Sequence, residues 1–224
     1  VGRFVQGLTG CDAVFNAVGI IREIPPKVTF ERVHVKFTRK LVEAMQEAGV
    51  KRYIHISALG VHTGPPIGYN TSKIREEEIV RESELDWTII RPSLIMGPGD
   101  GFVMQFSELA RKRVPLPVVG KGNIRLQPVT RDDICRGMVK LTDLPESIHQ
   151  AYEVGGPDKI RFIDIMRKIR EKTGKKTILI PAPIPVFLLG GRLIRKFTRI
   201  PATDDMIRQL MNENITDDRS FWKI

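Results

Sequence analysis

The sequence predicts an α/β fold built on a parallel sheet with helices on both faces. Three observations carry this prediction: apolar runs recur at Asp12–Gly19, Arg52–Ser57 and Asp86–Pro92, they do not alternate polar with apolar, and amphipathic stretches separate them. Parallel strands need crossover connections and bury both sides, so they read as apolar runs joined by helices.

Taken in order, Asp12-Ala-Val-Phe-Asn-Ala-Val-Gly19 is a short strand ending in small residues, and the pattern from about Phe30 to Ala48 predicts an amphipathic helix. Arg52-Tyr-Ile-His-Ile-Ser57 predicts the second strand. A Gly/Pro-rich loop from Gly60 to Gly68 follows, then a helix over Tyr69–Glu82 and a third strand, Asp86–Pro92, closed by proline. Beyond Gly97 the rhythm breaks. Gly97-Pro-Gly-Asp-Gly101 opens a loop, a helix is predicted near Phe102–Lys112, and Pro115–Gly122 reads as an irregular return. Asp132 or Asp133 can cap a helix reaching about Leu144, by accepting hydrogen bonds from the first free amides. Ala151–Gly156 reads as a strand with a glycine exit. A basic amphipathic helix over Phe162–Thr173, an extended Ile178–Pro181 and helices near Val186–Phe197 and Thr203–Met211 complete the chain. Residues 1–97 and 124–156 are expected to form the sheet domain, and 98–123 with 157–224 a smaller, mostly helical lobe.

A formal charge of +10 favours anionic partners without choosing among them. No aromatic interleaving or finger motif points to nucleic acid, so none is expected as a partner. Cys11 and Cys135 are too few for a disulfide framework or a zinc knuckle and are read as small core residues. His55, His62 and His149 show no metal-ligand spacing, so no metal site is expected. The apolar stretches fall well short of the roughly 20 residues that cross a bilayer. A soluble, cytoplasmic protein is the expectation, with the basic, apolar segment Phe187–Phe197 either capping a cleft or lying on a membrane surface.

The stretch Tyr69-Asn-Thr-Ser-Lys73 carries the most chemistry. Four residues apart on a helix, a phenol and an ammonium share one face. The cation favours phenolate and would lower the phenol's pKa toward a range useful for proton transfer. The pair follows an apolar strand ending in Ser57 and a loop, where sites form at the carboxyl ends of parallel strands. Gly7-Leu-Thr-Gly10, Gly97-Pro-Gly99-Asp-Gly101 and Gly120-Lys-Gly122 lack the strand-before, helix-after context that a phosphate-binding turn requires.

Through Asp12–Gly19, Ile54-His-Ile-Ser57, Tyr69–Lys73, Arg91-Pro-Ser-Leu-Ile-Met-Gly-Pro-Gly99 and Tyr152-Glu-Val-Gly-Gly-Pro157, the chain resembles the short-chain dehydrogenase/reductase superfamily over nearly its whole length. It is most similar to the extended and atypical branches, which include NAD-dependent epimerase/dehydratase proteins and the subgroup of the 39 kDa NAD(P)H-binding accessory subunit of respiratory complex I. The resemblance implies a Rossmann-like doubly wound parallel sheet and NAD or NADP as cofactor. It also implies an unknown small-molecule substrate. By it Ala17, Val18 and Gly19 line the cofactor, and Pro92, Ser93 and Leu94 border the nicotinamide. Tyr69 is the general acid/base, Lys73 holds the nicotinamide ribose, and Ser57 is the nearest candidate for the catalytic serine. The family often places that serine one residue later, where this chain has Ala58. His34 stands where extended members carry asparagine, as a hydrogen-bond donor or as a structural histidine. The family's first strands and glycine fingerprint are expected before Val1, so the 224 residues read as part of a longer protein. Two functions remain open: an oxidoreductase or epimerase-like enzyme, and a cofactor-binding structural or assembly protein of a respiratory membrane complex.

Overall fold

The computed structural model describes residues 2–183 and 208–224. The predicted helix over 186–197, and 203–207 of the one after it, lie outside the described residues. In chain order the elements are α1 (Gly2–Leu8), β1 (Ala13–Asn16), a π-helical stretch (Glu31–Lys36) running into α2 (Phe37–Ala48), β2 (Arg52–Ile56), α3 (Gly68–Arg81) and β3 (Asp86–Pro92). Then come β4 (Ile95–Met96), α4 (Gly101–Arg111), β5 (Leu116–Val119), β6 (Arg125–Leu126), β7 (Val129–Thr130) and α5 (Arg131–Thr142). β8 (Gln150–Val154), β9 (Ile160–Arg161), α6 (Phe162–Thr173), β10 (Leu179–Ala182) and a closing 3-10 turn (Ser220–Lys223) follow.

The chain divides into two compact units. One holds Val1–Pro92, Asp132–Val154 and Thr216–Ile224; the other holds Ser93–Arg131 and Gly155–Ile215. Residues 93–97 and 124–131, expected with the sheet domain, therefore pack with the second unit, because β4 pairs β7 and β6 pairs β9 there. The last residues return to the first unit, where Thr216 donates to Glu153 and Phe221 packs on Tyr152.

The first unit is a four-stranded parallel sheet in the order β1-β2-β3-β8. Its two faces are set by strand alternation. Tyr53, Trp87 and Ile89 face α2 and α3 and pack with Leu41, Val42, Met45, Ile79 and Val80. The opposite face meets α5 and the turn after it, where Arg52 donates from Nε to the Thr142 carbonyl (3.3 Å) and from Nη2 to the Leu141 carbonyl and Ser147 Oγ (2.6 Å). Its Nη1 reaches the Asp86 carbonyl at 2.6 Å. One guanidinium thus ties the start of β2 to the start of β3 and to the last carbonyls of α5, which have no partner within the helix.

The second unit packs α4 and α6 around Leu116, Val118 and Phe162, with β5 and β10 paired in parallel. Pro115–Gly122 is therefore not an irregular return. It carries a strand whose register is Leu116↔Leu179 to Val119↔Ala182, and the sequence hides it because Pro117 breaks the apolar pattern. Asp100 caps α4, its Oδ1 accepting from the Val103 amide at 2.6 Å. Asp132 and Asp133 stand inside the first turn of α5, where negative charge complements the positive end of the helix.

Both cysteines are exposed, against the expectation of core positions. Cys11 lies in the turn after α1. Cys135 lies on the outer side of α5, whose inner stripe is Ile134, Met138 and Leu141.

Candidate functional site

In the first unit the carboxyl ends of β1 and β2 and the first turns of α3 assemble a polar cluster among apolar walls. Asn16 ends β1, 2% exposed. Its Nδ2 donates to Tyr53 Oη at 2.8 Å, and its Oδ1 accepts the Val18 amide at 3.1 Å. That turn leaves Ala17, Val18 and Gly19 exposed at the strand end. The chain spacing that produces this is short: one buried asparagine, then three residues with no strand partner.

His34, fully buried on the π-helical stretch, fixes the same loop. The Ile20 amide donates to its Nε2 at 2.9 Å, so Nδ1 carries the proton and donates to Ser72 Oγ at 2.7 Å. Ser72 in turn donates to the Tyr69 carbonyl at 2.7 Å. Burial first, then the charge of Lys73, lowers the His34 pKa to about 4, so the imidazole is neutral as this pattern requires. Toward the 17–20 loop His34 is an acceptor, holding that loop in place.

Tyr69 is half-buried, with its ring edge-on to Phe30 (6.0 Å between centroids) and to His34 (5.8 Å). Lys73, one turn on, does not turn its charge to the phenol alone. Its Nζ donates to the Ile56 carbonyl at 3.1 Å and sits 2.8 Å from Glu76 Oε2. Glu76 is 0% exposed, and its Oε1 accepts from Thr38 Oγ1 at 3.1 Å. Burial pushes the Glu76 carboxyl above its usual range even with Lys73 beside it. Burial, and after it the charge of Glu76, pushes the Tyr69 phenol up. The phenol is thus raised, where acidification by Lys73 is the expectation from sequence, because burial and Glu76 act on it and Lys73 is engaged elsewhere.

Gly19 closes the cluster. A side chain added there would place its first carbon at contact distance, 3.6 Å, from both His34 Nε2 and Lys73 Nζ, over an ammonium that lies buried behind the loop. Gly19, His34, Tyr69, Lys73 and Glu76 are thus brought together. An ammonium has three N–H donors, and two of those on Lys73 are engaged.

Ser57 belongs to a neighbouring group. Its hydroxyl, on a residue 4% exposed, makes no well-directed hydrogen bond, yet it lies close enough to Glu77 to help hold that carboxylate charged. Glu77 is gripped by Arg91 and by His62 Nε2 at 3.0 Å. Burial opposes its ionisation, but these hydrogen bonds, led by Arg91, bring its pKa down to about 2. Pro92 ends β3, its carbonyl accepting from the Leu59 amide at 2.9 Å. Ser93 and Leu94 fall in the second unit, where Ser93 Oγ donates to Asn214 Oδ1 at 2.6 Å and the Leu94 carbonyl accepts the Val129 amide.

Asn16 and Glu76 were not singled out from sequence. The run Arg-Glu-Glu-Glu over 75–78 reads as a solvated helix face, although the three-residue step from Lys73 to Glu76 was a visible signal.

The small residues, the exposed strand end and the ammonium just beneath Gly19 could receive a nicotinamide ribose approaching along the backbone. The NAD(P)H-binding family matches residues 2–143. Over 165 residues the chain is 32% identical to mitochondrial NADH dehydrogenase [ubiquinone] 1 alpha subcomplex subunit 9 of Mus musculus, an alignment covering 73% of this chain and 44% of that protein. It is 27% identical to ceramide reductase of Caulobacter vibrioides over 205 residues, 87% of this chain and 60% of that one. The chain thus spans about half the length of the curated relatives it matches. Among solved structures, dTDP-glucose 4,6-dehydratase from Streptomyces venezuelae with NAD and TYD bound aligns with a TM-score of 0.68 at 20% identity, covering 94% of this chain and 75% of that one. The epimerase Mth375 of Methanothermobacter thermautotrophicus aligns with a TM-score of 0.71 at 19% identity, over 99% and 73%. These likenesses establish a Rossmann-type fold.

Proposed function

The chain belongs to the NAD(P)H-binding family, and from that premise we propose that it holds the nicotinamide end of NAD or NADP at Ala17–Gly19, Tyr69 and Lys73 and works as an oxidoreductase or an epimerase/dehydratase-like enzyme. The observation that carries the reading is the Lys73 ammonium beside Gly19, with one donor left for a ribose hydroxyl. When bound, the nicotinamide supplies hydride transfer. What this chain contributes is orientation and a proton. A phenol kept protonated by burial and by Glu76 is a donor, so Tyr69 suits delivery of a proton to a substrate carbonyl oxygen better than removal of one from an alcohol. Ser57 is a weaker candidate for that chemistry, because it sits against Glu77.

A second reading has its own support. Burial and Glu76 hold the Tyr69 phenol protonated, the Lys73 ammonium is bound to Glu76 and the Ile56 carbonyl, and the 32% identical relative is a subunit of an NADH dehydrogenase. On that reading the nucleotide stabilises the fold of a structural or assembly subunit in a respiratory membrane complex, with little chemistry.

Titration with NADH and NADPH, followed by fluorescence of the reduced nicotinamide, tests the shared part: Lys73→Met should weaken binding by about tenfold or more, and unchanged affinity would remove Lys73 from the site. A panel of carbonyl substrates separates the two readings. Tyr69→Phe should keep binding and lose turnover, whereas bound nucleotide with no substrate reduced would favour the second.

A further inference from the structure

Ala17, Val18 and Gly19 lie past the end of β1 and pair with no strand among the described residues. Two buried side chains hold the stretch instead: Asn16 Oδ1 accepts the Val18 amide at 3.1 Å, and His34 Nε2 accepts the Ile20 amide at 2.9 Å. The first contact is local to the turn. The second comes from another element, and the ring that makes it is itself fixed, fully buried, with Phe30 stacked on it at 5.4 Å and Tyr69 edge-on at 5.8 Å.

The two nitrogens of this ring do unequal work. Nδ1 donates to Ser72 Oγ on α3 at 2.7 Å, but α3 has other ties: Lys73 to the Ile56 carbonyl, Glu76 to Thr38 and Glu77 to Arg91. Without the Ser72 contact α3 stays seated by these. Without the Ile20 contact the far end of the 17–20 stretch loses the side chain that holds it, and Gly19, which lies against Lys73, is freed with it. A backbone freed before binding must be ordered again by the ligand, and that lost entropy appears as lost affinity.

We propose that His34 is a positioning residue for the nucleotide: through Nε2 it holds the Ala17–Ile20 backbone in the form the cofactor meets, while its Nδ1 contact serves stability alone. This rests on Ala17–Gly19 lining the nucleotide, as proposed above.

Glutamine can set an amide oxygen where Nε2 stands, and asparagine an amide nitrogen where Nδ1 stands, so each substitution keeps one contact and loses the other. In a titration of the full chain with NADH, followed by nicotinamide fluorescence, His34→Gln should bind within about threefold of the wild type and His34→Asn about tenfold or more weaker. Both should melt below the wild type, so stability alone does not order them. Ser72→Ala, which removes the Nδ1 contact from the other side, should bind like His34→Gln. Hydrogen exchange at the Ile20 amide of the wild type carries the test if His34→Asn does not fold: saturating NADH should slow it by about threefold or more, because bound nucleotide disfavours the open loop. His34→Asn binding as tightly as His34→Gln overturns the proposal, as does a tenfold loss in Ser72→Ala or an Ile20 exchange rate that NADH leaves unchanged. Absence of nucleotide binding in the wild type instead overturns the cofactor-site reading, and the proposal falls with it.

Discussion

Arg91 meets Glu77 through both carboxylate oxygens, Nε to Oε1 at 2.9 Å and Nη2 to Oε2 at 2.6 Å, a bidentate pair joining β3 to α3 with the glutamate almost fully enclosed. Bidentate geometry is the strong form of this interaction. The folded-state pKa of Glu77, about 2, lies below its ordinary 4.5. The associated stability is therefore present above pH 4.5 and is lost as pH falls through about 2. The difference corresponds to about 3 kcal/mol. Glu77→Gln should cost on the order of 3 kcal/mol at neutral pH, since it leaves Arg91 half-buried without its partner. It should also flatten the acid limb of a thermal melt series between pH 4.5 and 2. A wild-type acid limb in the variant would show that other carboxylates produce it.

His34 makes a second pH prediction. Its folded pKa of about 4 lies below the ordinary 6.5, so the unfolded chain binds a proton that the folded chain refuses. Stability from this residue is full above pH 6.5 and declines as pH falls toward 4, by about 3 kcal/mol in all. His55, lowered to about 3, acts in the same direction and over a longer span. His34→Gln should make the melting temperature less steep between pH 6.5 and 4 while leaving a slope from His55. An unchanged slope would place the dependence elsewhere.

Arg52 supports four acceptors: the carbonyls of Asp86, Leu141 and Thr142, and Ser147 Oγ. An ammonium cannot reproduce that planar fan of donors. Arg52→Lys, although it keeps the charge, should cost about 2 kcal/mol in chemical denaturation, because buried carbonyls lose partners. A loss below about 0.5 kcal/mol would mean that the guanidinium geometry is incidental.

Two glycines in helices should behave oppositely. A methyl on Gly137 of α5 would lie 2.1 Å from the Phe221 ring, whereas one on Gly7 of α1 meets nothing within 4 Å. Gly137→Ala should destabilise by about 1–3 kcal/mol through overpacking. Gly7→Ala should be neutral or stabilise by up to about 1 kcal/mol through helix propensity. Paired melts check both.

Gly19→Ala separates binding from stability. Its added carbon lies at ordinary contact distance, 3.6 Å, from His34 Nε2 and Lys73 Nζ, so the melting temperature should hardly move. Nucleotide affinity, on the proposed site, should fall about tenfold. A variant that binds NADH like the wild type would remove Gly19 from the path to Lys73.

Much of this was legible in the sequence. The three apolar runs became β1, β2 and β3 because buried parallel strands cannot disguise their composition, and Tyr69 and Lys73 fell on one helix because four residues make one turn. What stayed hidden depended on partners distant in the chain. Glu76 reads as a surface charge until Thr38, 38 residues earlier, and β2 close over it. Arg52 reads as a strand's polar start until α5 ends above it. Pro117 concealed β5, whose pairing with β10 is a matter of tertiary position. The cysteines were assigned by residue type, and residue type says nothing about which side of a turn or helix faces water.

The guanidinium of Arg52 sits where β2 begins, and the Lys73 ammonium meets the carbonyl of Ile56, where β2 ends. Along one five-residue strand, the two ends answer to different demands. The entry end keeps the sheet and α5 joined, and the exit end, on the proposed site, anchors the ammonium that meets the ligand. Variants sampled along β2 should therefore sort by position into those that alter folding and those that alter ligand affinity, with Tyr53 and Ile54 between them as the pivot of that gradient.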